Sequence, residues 1–418
     1  MIRRFVLIAF VLIIALPTFA KASQQPDTTV VLAYVHQNIL KLADAQGNPI
    51  YITGPEFQVG QSARMLWSPD GNTLYIARRD GLFQTTASGG AAAKIPGEFG
   101  LTVALDRTGQ LLYYLDTSNP IQINDETDGP TPETPTPAVL SYPLREFAFS
   151  GDSDTGRLVG YIGEYLTGTA NMVLNGAALQ YARDGGLLEA ARPNLFATYG
   201  DTLFYSCCFP NAGMQAFSLQ NNTAWVFEGT QNFIAGRAAP NNTYSRLAGP
   251  TTEGHVLVVD LITAGLRTYL IDAGEIERVA WSPDDTTLYL AVRTAPQNLL
   301  QLASMVSTPV DARSATISIW RLDLVTAQLW PLATLGDFYG VSSMVATDEY
   351  VFVVTVESNA RMVEALNNGT LAPDIDPADP ILNSTYLPST VLYRLTPDGR
   401  EAFSILGDVW GLAVRPRR

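Results

Sequence analysis

The residues of this chain best placed to do chemistry are carboxylates on short loops. Gly151-Asp152-Ser153-Asp154-Thr155-Gly156 sets two acids one residue apart, and Asp374-Ile375-Asp376-Pro377-Ala378-Asp379 sets three within six residues. Asn124-Asp125-Glu126-Thr127-Asp128-Gly129 is similar. Hard oxygen ligands this close together on a loop suit Ca2+. Asp152, Asp154, Asp374, Asp376 and Asp379 are therefore the candidate metal ligands, and Ca2+ is the one cofactor with support in the sequence. Every run lacks the Glu that closes a twelve-residue EF-type loop, so a solvated acidic surface with no cofactor is the competing reading.

Other reactive residues are sparse. Histidine occurs only at positions 36 and 255, and cysteine only as the neighbours Cys207 and Cys208, which is no zinc ligand set. Adjacent cysteines either close a strained ring in an oxidising compartment or stay free, and both states are open here. No Gly-x-Ser-x-Gly is present to set a nucleophile beside a base. No catalytic residue is assigned from the sequence. Four Asn-x-Ser/Thr sequons, at Asn221, Asn241, Asn368 and Asn383, are glycan acceptors in a eukaryotic secretory path.

Composition and the N-terminus bound the setting. Arg3 and Arg4 precede an apolar run from Phe5 to Leu16, followed by Pro17 and the small-residue site Ala20-Lys21-Ala22. This is the order of a secretory signal peptide, and the run is shorter than the about 20 residues that span a bilayer. Residues 1–22 are expected to be removed, leaving one domain over 23–418 with no transmembrane segment. Removal takes three cations and no acid, so the formal charge goes from −14 to −17. Such a surface repels nucleic acid and anionic membrane. A secreted, periplasmic or cell-surface location is expected. The 47% hydrophobic content excludes general disorder.

The elements that must position these loops come from a repeat. Ala63 to Phe83 reads ARMLWSPDGNTLYIARRDGLF, and Arg278 to Arg293 reads RVAWSPDDTTLYLAVR. Each copy is a strand, a Ser-Pro-Asp-Gly/Asp turn and a second strand rich in β-branched and aromatic residues. A second signature, strand, Asp-x-x-Thr or a variant, strand, occurs at Asp260–Thr263, at Asp323–Thr326 and as Thr396-Pro-Asp-Gly399. The first joins strands a and b of a unit and the second joins c and d. Leu412-Ala-Val-Arg-Pro416 aligns with Val279-Ala-Trp-Ser-Pro283, so the C-terminus supplies a lone strand a while the N-terminus supplies b, c and d. A unit split across the chain ends has a use in a closed ring, which protects its edges.

The WSPDG motif resembles the repeat of the TolB-like β-propeller family, a WD40-like architecture. That resemblance implies an all-β propeller of four-stranded blades, with Trp67 and Trp281 packed between blades. The units count to eight blades, the fourth opening at Glu146, or to seven if residues 118–192 form one blade fewer. Asp323-Leu-Val-Thr326-Ala-Gln-Leu-Trp330 is similar to a docking repeat of the quinoprotein dehydrogenases, which need it in most blades. A single copy with the Trp leaves no quinone expected.

Three insertions, 118–137, 295–313 and 358–389, fall between strands b and c and are expected on one face. The first reads as an exposed Pro/Thr/acidic loop. Met305, Val306, Met362, Leu366, Ile381, Leu382 and Tyr386 give the insertions apolar groups to bury against a partner. The expected function is an exported binding or scaffold module for an extracellular or envelope protein or polysaccharide. The alternative is a propeller enzyme of lyase or lactonase type with Ca2+ at the channel mouth.

Overall fold

The computed structural model describes residues 30–54, 57–59, 63–78, 80–99, 102–116, 121–124, 138–150, 156–166, 194–206, 213–234, 237–294, 315–357, 361, 364–365, 368–371, 385–386 and 388–416. Its named elements are strands, arranged as seven sheets. Blade I contains β1 (Leu32–His36), β2 (Ile39–Ala43) and β3 (Pro49–Ile52). Blade II is β4 (Arg64–Trp67), β5 (Thr73–Arg78), β6 (Gly81–Thr86) and β7 (Ala93–Lys94). Blade III has β8 (Val103–Leu105), β9 (Leu111–Leu115), β10 (Ile121–Asn124), β11 (Ala138–Ala148) and β12 (Arg157–Leu166). Blade IV is β13 (Asn194–Tyr199), β14 (Thr202–Ser206), β15 (Met214–Ser218) and β16 (Thr223–Val226). Blade V is β17 (Ala239–Pro240), β18 (Arg246–Pro250), β19 (Val256–Asp260) and β20 (Leu266–Tyr269). Blade VI is β21 (Glu275–Trp281), β22 (Thr287–Thr294), β23 (Ala315–Asp323) and β24 (Leu329–Phe338). Blade VII is β25 (Gly340–Ala346), β26 (Val351–Val356), β27 (Thr390–Leu395) and β28 (Ala402–Gly407), and β29 (Val409–Val414) returns to blade I.

The split blade is as the sequence predicts. β29 lies antiparallel beside β1, with Leu32 opposite Val414 and His36 opposite Val409. The sheet order β29-β1-β2-β3 makes the C-terminal strand the inner strand a of a blade whose other strands open the described chain.

The ring has seven blades, the second of the two counts that the sequence allows, rather than eight. The core divides into one apolar cluster at each junction between neighbouring blades. Ala104, Tyr113, Leu144 and Ile162 of blade III meet Leu195, Leu203 and Phe217 of blade IV. Leu32, Tyr34 and Ala43 of blade I meet Phe352, Val354 and Leu392 of blade VII and close the circle. The unit expected to open at Glu146 is the outer half of blade III, because β11 pairs with β9 on one edge and β12 on the other. The short strand β10 extends the β9 edge beside residues 138–141, so the 118–137 insertion is not wholly loop.

The repeat motif is consumed by turn and junction geometry. Ser68 Oγ donates to Asp70 Oδ1 at 2.5 Å and accepts from Thr73 N at 2.9 Å. Ser282, Asp284 and Thr287 repeat that network at 2.6 and 3.0 Å. These serines and aspartates hold turns. The two tryptophans pack between blades as the resemblance implies: Trp67 Nε1 donates to the Ala413 carbonyl of blade I, and Trp281 Nε1 to the Ala239 carbonyl of blade V. The c–d signature is likewise structural, since Asp323 Oδ1 accepts from Val325 N and Thr326 N, both at 2.8 Å. The Thr326 N–H leads the bonds that hold the Asp323 carboxyl below its usual range.

Candidate functional site at the mouth of the ring

The strand order puts all b–c and d–a connections on one face. The 118–137 insertion joins β9 to β11, 295–313 joins β22 to β23, and 358–389 joins β26 to β27. Their described ends all leave this face, two of them from the adjacent blades VI and VII. Tyr386 is half-buried, and within the same insertion Ala365 and Leu371 are buried, with Leu371 N donating to the Ala365 carbonyl. Met305, Val306, Met362, Leu366, Ile381 and Leu382 lie outside the described residues, as do residues 1–22 and Cys207-Cys208. Asp152, Asp154, Asp374, Asp376 and Asp379 do so as well. Among the described residues, no group of three or more His, Cys, Asp or Glu side chains could hold a metal.

Both histidines reach this same face. His36 ends β1 at the b–c turn of blade I, where Gln37 and Asn38 have left-handed φ of 49° and 64°. Burial lowers the His36 pKa, Lys41 adds to the effect and Asp408 opposes it. His255 precedes β19 at the b–c turn of blade V, its Nδ1 buried without a hydrogen-bond partner among the described residues. Thr251 Oγ1 accepts from the His255 backbone N–H and fixes the turn.

The chemically most loaded point is where strand a of blade VI starts. Glu277 sits there with 7% of its surface exposed, ringed by Arg237, Arg278, Arg293 and Glu275. Arg237 Nη1 donates to Glu275 Oε1 at 2.7 Å and to the Ile276 carbonyl at 3.1 Å. Arg278 Nε donates to the Ser342 carbonyl of blade VII at 3.2 Å. Glu277 Oε1 is 4.0 Å from Arg237 Nη2 and 3.8 Å from Arg293 Nη1. These are ion-pair separations rather than hydrogen bonds, and the Glu277 carboxylate accepts no hydrogen bond from any described residue. Desolvation therefore wins: burial pushes the Glu277 carboxyl above its usual range, while Arg237 leads the opposing attraction. Gly340 closes the far side, where a Cβ would stand 3.4 Å from Glu277 Oε2.

Sequence reasoning missed Glu277. Arg278 and Arg293 are the two ends of the quoted repeat, but Arg237 comes from the connection before β17, Glu275 from the start of β21 and Gly340 from the start of β25. The signal available was an acid one residue before the arginine that both near-exact repeats carry, Arg64 and Arg278. Arg64 also points inward, its Nη2 donating to the Leu195 carbonyl of blade IV.

The opposite face carries a cleft of about 580 Å³ between blades V and VI, lined by Arg246, Asp260, Arg267, Tyr269, Asp285 and Val325 among others. Asp260 Oδ1 accepts from Ile262 N and Thr263 N, and Asp285 is held by Asn241 and Asn242. Its carboxylates are thus spent on turns.

No family model matches the sequence, and no curated protein matches it significantly. Among solved structures, the putative TolB from Agrobacterium tumefaciens is similar at 11% identity and TM-score 0.36, over 93% of this chain and 98% of that one. TolB from Acinetobacter baumannii is similar at 12% and 0.41, over 85% and 66%. The dihydro-heme d1 dehydrogenase NirN is similar at 12% and 0.47, over 95% and 77%. Likeness at this level carries no argument about function, and the propeller stands on its own strand pairing. No helix among the described residues is long and apolar enough to cross a membrane.

Proposed function

We propose that this chain is an exported, non-enzymatic propeller that serves as a binding or scaffold module, with the b–c face as its partner surface. The partner in this reading is an extracellular or envelope protein or polysaccharide. The observation that carries it is the common exit of the three long b–c connections from a ring closed by β1 and β29. Long connections on a rigid scaffold are where recognition concentrates. The buried Ala365 and Leu371 support it, because a purely solvating loop has no need to bury apolar groups. The motif serines and aspartates support binding over catalysis, being occupied by turn hydrogen bonds.

Export rests on Arg3, Arg4, the Phe5–Leu16 run and Ala20-Lys21-Ala22. The test is replacement of residues 358–389 by a short Gly/Ser linker, followed by pull-down from culture supernatant or envelope extract. The variant is expected to fold and to lose its partner. Unchanged capture by it and by a 295–313 deletion overturns the reading.

A further inference from the structure

We propose that the cleft between blades V and VI, on the face opposite the insertions, binds a small monocarboxylate with an apolar body. The site is independent of the b–c face and of any partner bound there. Its volume of about 580 Å³ is that of a small-ligand cleft. One wall is blade V, where strand register gathers three charged side chains. Arg246 stands opposite Asp260, and Arg267 stands opposite Val258, two positions from Asp260 and on the same side of the sheet. The other wall is blade VI, with Leu324 and Val325 of its c–d turn and residues 284–286 of its a–b turn. Tyr269 spans the two walls, its hydroxyl donating to the Leu324 carbonyl at 2.9 Å.

The two arginines supply the donors. Arg267 is exposed and stacks 4.8 Å over the Tyr269 ring, and its guanidinium donates no hydrogen bond to a described residue. Arg246 stacks on Trp281 and spends only Nη2, on the Asp285 carbonyl, which leaves its Nε and Nη1. Neither forms an ion pair with a described residue. Stacking fixes each guanidinium plane and leaves its edge for a planar acceptor. Burial raises the Tyr269 pKa, and Arg267 and then Arg246 oppose that rise, so both cations act on one point of the cleft. The cleft's own acids are held elsewhere. Asp260 Oδ1 accepts from Ile262 N and Thr263 N, Asp284 accepts from Ser282 Oγ and Thr286 Oγ1, and Asp285 accepts from Asn241 and Asn242. Their three formal charges still select among anions, because a dianion such as phosphate meets twice the repulsion of a carboxylate. The apolar body has its place beside them: Val325 is 75% exposed at the rim, with Val258 and Leu324 lining the cleft behind it.

The experiment is isothermal titration calorimetry of the full chain with hexanoate and phenylacetate as probes. Hexanamide, inorganic phosphate and the peptide N-acetyl-Gly-Gly-Leu are the comparisons. At least one of the two acids is expected to bind, and hexanamide and phosphate are not. Arg267→Ala is expected to weaken binding about tenfold or more. Val325→Asp, which sets a like charge at the exposed rim, is expected to weaken it as well. Arg400→Ala, at the c–d turn of blade VII, is expected to leave it unchanged. Thermal melts establish that each variant is folded, and Arg267→Gln serves if the Ala variant is not. No binding of either acid, equal binding of hexanamide, tighter binding of phosphate, or binding indifferent to Arg267→Ala overturns the inference. Binding of the peptide without either acid also overturns it and assigns the cleft to a chain end. Partner capture by the b–c face is expected to be the same in Arg267→Ala as in the wild type, so the two readings fail separately.

Discussion

The guanidinium of Arg246 lies 4.9 Å over the ring of Trp281, and its Nη2 donates to the Asp285 carbonyl at 2.9 Å. Blade V thereby clamps both ends of the Trp-Ser-Pro-Asp-Asp motif of blade VI. The same clamp recurs at the split blade, where Arg415 stands 6.0 Å over Trp67 and its Nε donates to the Gly71 carbonyl at 2.6 Å. Arginine can stack on a ring and bond in its plane at once, whereas lysine offers a point charge. At these two positions that geometry favours arginine over lysine. Trp281→Ala is expected to cost about 3–5 kcal/mol and Arg246→Ala about 1–2 kcal/mol. Arg246→Lys is expected to recover little. Denaturant unfolding of the three variants checks the ranking, and a fully rescuing lysine would show that charge alone matters.

The ring depends on its C-terminal strand. Leu32, Ala33, Tyr34 and Val35 of β1 are at most 1% exposed, and β29 covers their edge. Deleting Trp410 to Arg418 is expected to lower the melting temperature sharply and to make the protein prone to associate through the freed edge. Calorimetry and sedimentation of the truncated chain check this, and a monomer that melts like the full chain counts against closure as a stabilising device.

Glu277 predicts a pH dependence. Its folded pKa is raised above 4.5 by burial, so its stability contribution is full below that value and is lost as pH rises through the folded pKa. Glu277→Gln removes this loss. The variant is expected to gain on the wild type from about pH 4.5 upward. Melting temperatures over pH 4–8 read the trend; parallel curves would mean that the arginines neutralise the buried charge fully.

What the sequence allowed and what it hid follow from range. The turn chemistry of Ser68-Pro-Asp70-Gly71 and the alignment of Leu412–Pro416 are local, and both the blade design and its closure were readable from them. The blade count was harder, because β11 and β12 are long strands of one sheet and Glu146 begins no new strand a. Regular turn signals mark hairpins, and they do not say which hairpins share a sheet. Glu277 was invisible because its burial is set by Arg237 and Arg293, 40 and 16 positions away, and by the approach of Gly340. The sequon at Asn241 misled for the same reason: its side chain is buried and bonded across a blade junction, whereas Asn221 sits exposed in a turn.

Asp285 offers a test of which local effect governs a repeat position. It occupies the place of Gly71, and both adopt left-handed backbone, with φ of 58° and 66°. For a non-glycine residue that conformation costs about 1 kcal/mol, less for Asp than for most. Asp285 offsets the strain by accepting from Asn241 Nδ2 at 2.7 Å and from Asn242 Nδ2 and N at 2.9 and 3.1 Å. Asn241 is 2% exposed, so removing its acceptor takes away one partner of a buried amide. That loss is worth about 1–3 kcal/mol and exceeds the relief of strain. Asp285→Gly is therefore expected to destabilise the protein by about 1–2 kcal/mol, although it restores the residue of the other repeat. Asp285→Asn, which keeps an acceptor and tolerates the conformation, is expected to lie between the two. Chemical denaturation of both variants decides the matter, and a glycine variant more stable than the wild type would show that backbone strain outweighs the junction hydrogen bonds.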